Sequence, residues 1–209
     1  MKAPTQSWCR RPRHPGLAPF VSWIFYAEGQ PAHRLERIMP SGTAQLLVNL
    51  AEDALRTVET TPVRRCGGVG VSGPYTESFV IETAMQRRVA GVAFRPGGAA
   101  PFFDAPMGAL RGQHVDGVDL WGSFARSARD RLGELSEASV VDELEVILLE
   151  RVRSFRVDPA VGFATAALEA GTRVSVVRER LGWSAGRFIA RFERQVGLTP
   201  KRFSRVRRL

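Results

Sequence analysis

The sequence predicts an α+β protein: an N-terminal antiparallel β-barrel-like domain followed by a helical domain that ends in a helix-turn-helix. Three observations carry this. Short β-branched and aromatic runs separated by Gly, Pro or Asp fill residues 17–98. From residue 99 onward the apolar residues recur at three and four instead. The order is strands first and helices after, which suits two successive domains rather than an alternating βα fold. The boundaries predicted are an arm at 1–17, a β domain at 18–115, a helical linker region at 116–156 and a helix-turn-helix domain at 157–209.

Residues 1–16 are rich in Pro and Arg and read as a mobile arm. Strands are expected at Phe20–Tyr26, His33–Met39, Thr43–Leu50, Leu55–Thr61, Val69–Ser72, Ser78–Thr83 and Arg87–Phe94. Seven short strands with close turns suit a small barrel or sandwich. Arg95-Pro96-Gly97-Gly98 then ends the last strand. Asp119 is expected to cap a helix running to about Leu132. Ser136-Glu137 opens a longer one to about Phe155, with Val141, Leu144, Leu148, Val152 and Phe155 on one stripe. That stripe is either packed on its own domain or a dimer seam, and Glu143, Glu145 and Glu150 keep the remaining surface wet. Asp158-Pro159 caps a further helix closed by Gly171.

Net charge separates the two halves. The chain of 209 residues carries +9, but residues 1–150 hold 16 Lys/Arg against 17 Asp/Glu. The last 59 residues hold 14 against 4, a net of +10. A basic block on a helical module points to an anionic polymer, most often nucleic acid. A membrane surface is the weaker alternative, because the basic helices show no broad apolar face for lipid. No run of 18 apolar residues exists, and the first residues lack the apolar segment that secretion needs. Cys9 and Cys66 make no metal pattern and read as free thiols of a cytoplasmic protein.

Several motifs resemble chemistry. Residues 68–73 fit G-x-G-x-x-G, but a dinucleotide loop needs a helix after it, and Thr76–Thr83 reads as strand. A glycine-rich turn or bulge is the reading taken. His33 with Glu36 supplies half a metal site, while His14 and His114 are isolated. The glycines at 97–98 can offer N–H groups to an anion, but a tight turn explains them equally. No nucleophile set and no paired carboxylates emerge. No catalytic residue, metal or cofactor is therefore assigned, and the chain is not expected to be an enzyme.

The sharpest stretch is Arg173–Leu209. A short helix points Val174, Val177 and Leu181 inward and stops at Gly182. Ser184 caps a second helix whose Phe188, Phe192 and Val196 share one face at four-residue spacing. Gly197 ends it, and Thr199-Pro200 starts a third. Two short helices around a Gly turn form a helix-turn-helix pattern, with an ordinary helical hairpin as the plain alternative. At about 100° per residue, the outward arc of the second helix holds Gly186, Arg187, Ala190 and Arg194, edged by Arg191 and Glu193. Arg187, Arg191 and Arg194 suit phosphates or guanine edges, and Lys201, Arg202, Arg205, Arg207 and Arg208 flank them as backbone contacts.

The motif S-x-x-x-F-x-x-x-F-x-x-x-x-G-L-T-P-K-R-F, from Ser184 to Phe203, resembles the first helix-turn-helix of AraC-type transcription regulators. The resemblance implies a bacterial transcription regulator that binds double-stranded DNA. It implies contacts from Ser184, Ala185, Gly186, Arg187, Ile189, Ala190, Arg191, Arg194, Lys201 and Arg202. Met39-Pro40-Ser41-Gly42, Asn49-Leu50 and Val92–Gly98 are similar to an uncharacterised domain often placed ahead of this module, taken to be a cupin-like sensing or dimerising barrel. A small-molecule effector and a second copy of the chain are the further partners this implies; a membrane is not among them.

The sequence departs from the AraC pattern at three points. The base-contact positions fall on Gly186, Ile189 and Ala190, and the small Ala of the first helix falls on Arg178. The sequence also stops at Leu209, within the expected linker helix to a second helix-turn-helix. A regulatory module with little autonomous DNA binding is the alternative that these departures favour.

Overall fold

Six antiparallel strands form the larger sheet. They are β1 (Gln6–Arg10), β2 (Val21–Glu28), β4 (Gln45–Asn49), β5 (Val69–Ser72), β7 (Arg88–Phe94) and β8 (His114–Asp116). Their spatial order is β1-β2-β7-β4-β5-β8. A separate two-stranded sheet pairs β3 (Leu35–Ile38) with β6 (Phe79–Glu82). The structure, a computed structural model, describes residues 6–29, 33–53, 68–152 and 158–208. The strand expected at Leu55–Thr61, Cys66 and Phe155 lie outside them.

The α+β layout matches the expectation, but the barrel does not. β1 and β8 occupy opposite edges of the sheet and do not pair, so it stays open. One face is covered by helices instead. Alternation places Ile24, Tyr26, Leu46, Val48, Val69, Val71, Ala90 and Val92 on that face, all buried. The helices are α1 (Gly117–Trp121), α2 (Ser123–Gly133) and α3 (Glu137–Arg151). Helix α3 packs on β2 and β7 and buries Val140, Val141, Leu144, Ile147 and Leu148 in the sheet's own core. Its apolar stripe is therefore filled within the chain.

Local chemistry accounts for the helix ends. Asp116, not Asp119, caps α1 by accepting from Val118 N at 2.8 Å. Gly122, at φ 59°, then separates α1 from α2. Residues 6–10, expected in a mobile arm, form the edge strand β1 in register with β2. The residues after it are also held: Arg13 bonds Asp142 at 3.0 Å, and Arg10 pairs with Asp142 and Glu145. Glu145 is consequently buried, contrary to its expected solvent role. Glu143 and Glu150 both bind Arg131. In the glycine motif at 68–73, Gly68 sits in a turn at φ 78° and Val69–Ser72 form strand β5. No helix follows it; Gly73 lies against the Leu110 carbonyl and β6 comes next.

A second core belongs to α4 (Pro159–Glu169), α5 (Val174–Arg180), α6 (Ala185–Val196) and α7 (Pro200–Val206). Val161, Ala164, Leu168, Val177, Phe188, Phe192, Val196, Leu198 and Phe203 fill it. Asp158 caps α4 by accepting from Ala160 N at 3.0 Å, with Pro159 at the first position. No described helix is long and apolar enough to cross a membrane.

One half-buried group ties the fold to pH. His114 lies against Tyr75 and Phe79, with ring centroids 4.9 and 4.7 Å away. Its Nε2 is buried without a partner, and burial pushes its pKa down to about 4. The unfolded chain takes up this proton near pH 6.5, so below that value the unfolded state binds more protons. The stability is full above pH 6.5 and is lost as pH falls toward 4. Thermal melts should show a drop in Tm from pH 7 to pH 5, and His114→Phe should shrink that drop. An equal drop in both proteins would rule the residue out as the cause.

Candidate functional site

Helix α6 is the centre of the site, and its placement begins with its caps. Ser184 Oγ accepts from Arg187 N at 3.3 Å, and Gly197 closes the helix at φ 87°. Phe188, Phe192 and Val196 point into the helical core at 1%, 0% and 2% exposure. Their edge-on rings run from Trp183 through Phe188 and Phe192 to Phe203. With that face buried, the opposite one is presented. Ser184, Ala185, Gly186, Arg187, Ile189, Ala190, Arg191 and Arg194 are all exposed there. Lys201 and Arg202 are exposed in the first turn of α7, which Thr199 caps by accepting from Arg202 N at 3.3 Å. All ten residues singled out in the sequence are thus at the surface.

Their environments differ. Arg187 and Arg191 both lie over the Trp183 ring, at 5.1 and 5.3 Å from its centroid. Arg191 also pairs with Asp158 at 2.8 Å. Arg194 has no ion pair or hydrogen bond among the described residues. Ile189 is 44% exposed and lies beside the exposed Ala190. The sequence reading missed Trp183 as a platform. Its spacing to Arg187 and Arg191, four and eight residues, is the signal that could have found it.

The β domain contacts the other end of α6 and α7. Gly42, Gly97 and Gly108 lie against the helical domain, Gly97 most tightly and the other two at ordinary contact distance. A Cβ at Gly97 would lie 3.1 Å from Gln195, one at Gly108 3.4 Å from the Glu193 carbonyl, and one at Gly42 3.4 Å from Val206. Arg111 pairs with Glu193, and Arg207 donates to the Ser41 carbonyl at 3.2 Å. The turns 39–42 and 95–98 are therefore interdomain contacts.

His33 and Glu36 lie 3.8 Å apart and are both exposed. Among the described residues no group of three or more His, Cys, Asp or Glu is placed to hold a metal. Cys9 is a free, exposed thiol.

Residues 10–116 match a family described as a domain of unknown function, DUF6597. No curated protein and no solved structure matches the chain. The matched region begins at the last residue of β1 and ends with β8, and so takes in five of the six strands of the larger sheet and both turns that touch the helical domain. Since that region spans slightly more than half of the sequence, the chain belongs to the DUF6597 family.

Proposed function

We propose that the chain is a DNA-binding transcription regulator of the AraC type. In this reading α5 and α6 form the helix-turn-helix, α6 enters the major groove, and the β domain senses an effector or dimerises. The observation that carries it is the two-faced character of α6. Its aromatic face is sealed in the core, while Arg187, Arg191, Arg194 and their small neighbours face solvent within the last 59 residues, whose net charge is +10. Arginines reach phosphates or guanine edges, and Ile189 with Ala190 suits thymine methyls. The chain catalyses nothing in this reading.

The test is binding of the purified chain to a mixed-sequence duplex across a salt series. Contacts from Arg187, Arg191, Arg194, Lys201 and Arg202 would give log K against log salt a slope of about −4 to −5. No binding at low salt, or binding that ignores salt, would sink the proposal.

A second reading is favoured by one observation. Gly186, Ile189 and Ala190, the expected base-reading positions, offer no hydrogen-bonding side chain, and Arg191 is already paired with Asp158. The chain would then be a regulatory module that binds DNA weakly by itself. A sequence-specific footprint at full affinity excludes this.

A further inference from the structure

Trp183 follows Gly182 and stands one residue before Ser184, the cap of α6. Its backbone N donates to the Arg178 carbonyl at 3.3 Å. Its ring packs on the helical core, with the Phe188 ring centroid 6.3 Å away. An apolar residue just before the cap, packed on the fourth helical residue, is a hydrophobic staple that fixes how the chain enters the helix. A leucine would serve for that. The indole does more, because the Arg187 and Arg191 guanidiniums both lie over it, at 5.1 and 5.3 Å from its centroid.

Two cations four residues apart on one helix repel each other. The negative face of the indole draws both to one place instead. The indole has no acceptor atom, so it leaves the arginine N–H groups for another partner. Arg187 has no side-chain hydrogen bond or ion pair among the described residues. Arg191 differs, since Asp158 accepts from its Nη1 at 2.8 Å. A free arginine gives up much rotamer freedom when it takes a phosphate, and one already held in place gives up less.

We propose that Trp183 is a positioning residue for duplex binding: its ring holds Arg187 and Arg191 on one platform, ready for backbone phosphates. This rests on the DNA-binding reading. The ring acts through the two cations and not by touching the duplex. Its removal leaves every charge in place, so affinity falls while the salt dependence stays the same.

The experiment measures binding of the full chain to a labelled mixed-sequence duplex across a salt series. Trp183→Leu keeps an apolar staple and loses the ring. It should bind about fivefold more weakly at each salt concentration, with the slope of log K against log salt unchanged. Trp183→Phe keeps a ring face and should retain most of the affinity. In the Arg187→Ala/Arg191→Ala background, Trp183→Leu should change affinity by less than about twofold, because the groups it acts through are gone. Nuclear magnetic resonance of the free chain checks the contact itself: the ring current should shift the side-chain protons of Arg187 and Arg191, and the shift should vanish in Trp183→Leu. Thermal melts establish that this variant is folded, and Trp183→Met replaces it if it is not. Equal losses in Trp183→Leu and Trp183→Phe, or unfolding of both Trp183→Leu and Trp183→Met, assign the ring to the fold and overturn the role. A loss that persists without the two arginines overturns it too. A native chain that binds no duplex at low salt removes the DNA reading and the role with it, whereas unchanged binding by Trp183→Leu removes the role alone.

Discussion

Phe192→Ala is expected to destabilise the helical domain by about 3–5 kcal/mol, while Arg187→Ala changes stability by less than about 1 kcal/mol. Phe192 is fully buried, and its ring packs edge-on against Phe188 and Phe203 at centroid distances of 5.8 and 5.5 Å. Removing it leaves a cavity where three helices meet. A core of this size supports a total stability of only about 5–15 kcal/mol, so such a loss leaves the module close to unfolding. Arg187 is exposed, and its one described side-chain contact is the stack on Trp183, worth about 0.5–1 kcal/mol at the surface. Chemical denaturation and hydrogen exchange of the α4–α7 amides separate the two outcomes. Duplex binding separates them in the opposite sense. Arg187→Ala should reduce the salt slope by about 1 with the fold unchanged. Similar loss of protection in both variants would mean that the buried and presented faces of α6 have been assigned wrongly.

The faces of α6 were legible in the sequence because the information is local. Phe188, Phe192 and Val196 repeat every four residues, Ser184 and Thr199 sit at caps, and Gly171, Gly182 and Gly197 occupy left-handed positions. The same holds for β5, whose bounds match the expected Val69–Ser72. Failures begin where the deciding partner is remote. The edge strands β1 and β8 are short and gain their order by pairing with β2 and β5. Glu145 looked like a surface charge because its partner, Arg10, lies 135 residues earlier. The openness of the sheet was equally illegible, since strand periodicity reports which face is buried and not whether the edges meet. At the site, the Asp158–Arg191 pair depends on how two elements from distant sequence come together.

Gly197→Ala should cost about 2–4 kcal/mol, and Gly182→Ala about 1–2 kcal/mol, although both glycines sit at helix ends with positive φ. Gly182 has φ 62° and nothing within 4 Å of an added Cβ, so its replacement carries backbone strain alone. Gly197 has φ 87°, and an added Cβ would come 2.7 Å from Pro74 Cγ and 2.8 Å from the Met107 carbonyl. Neither neighbour is a flexible side chain end, so the β domain and α6 must move apart. The difference between the two variants therefore isolates the contact between domains from the strain of the turn. Hydrogen exchange gives the location: protection of the last turn of α6 should fall in Gly197→Ala and persist in Gly182→Ala. If α6 reads DNA, Gly197→Ala should also weaken duplex binding, because the β domain sets the tilt at which the helix is presented. Equal costs for the two substitutions, with α6 equally protected in both, would show that the glycine at 197 serves only its own helix end.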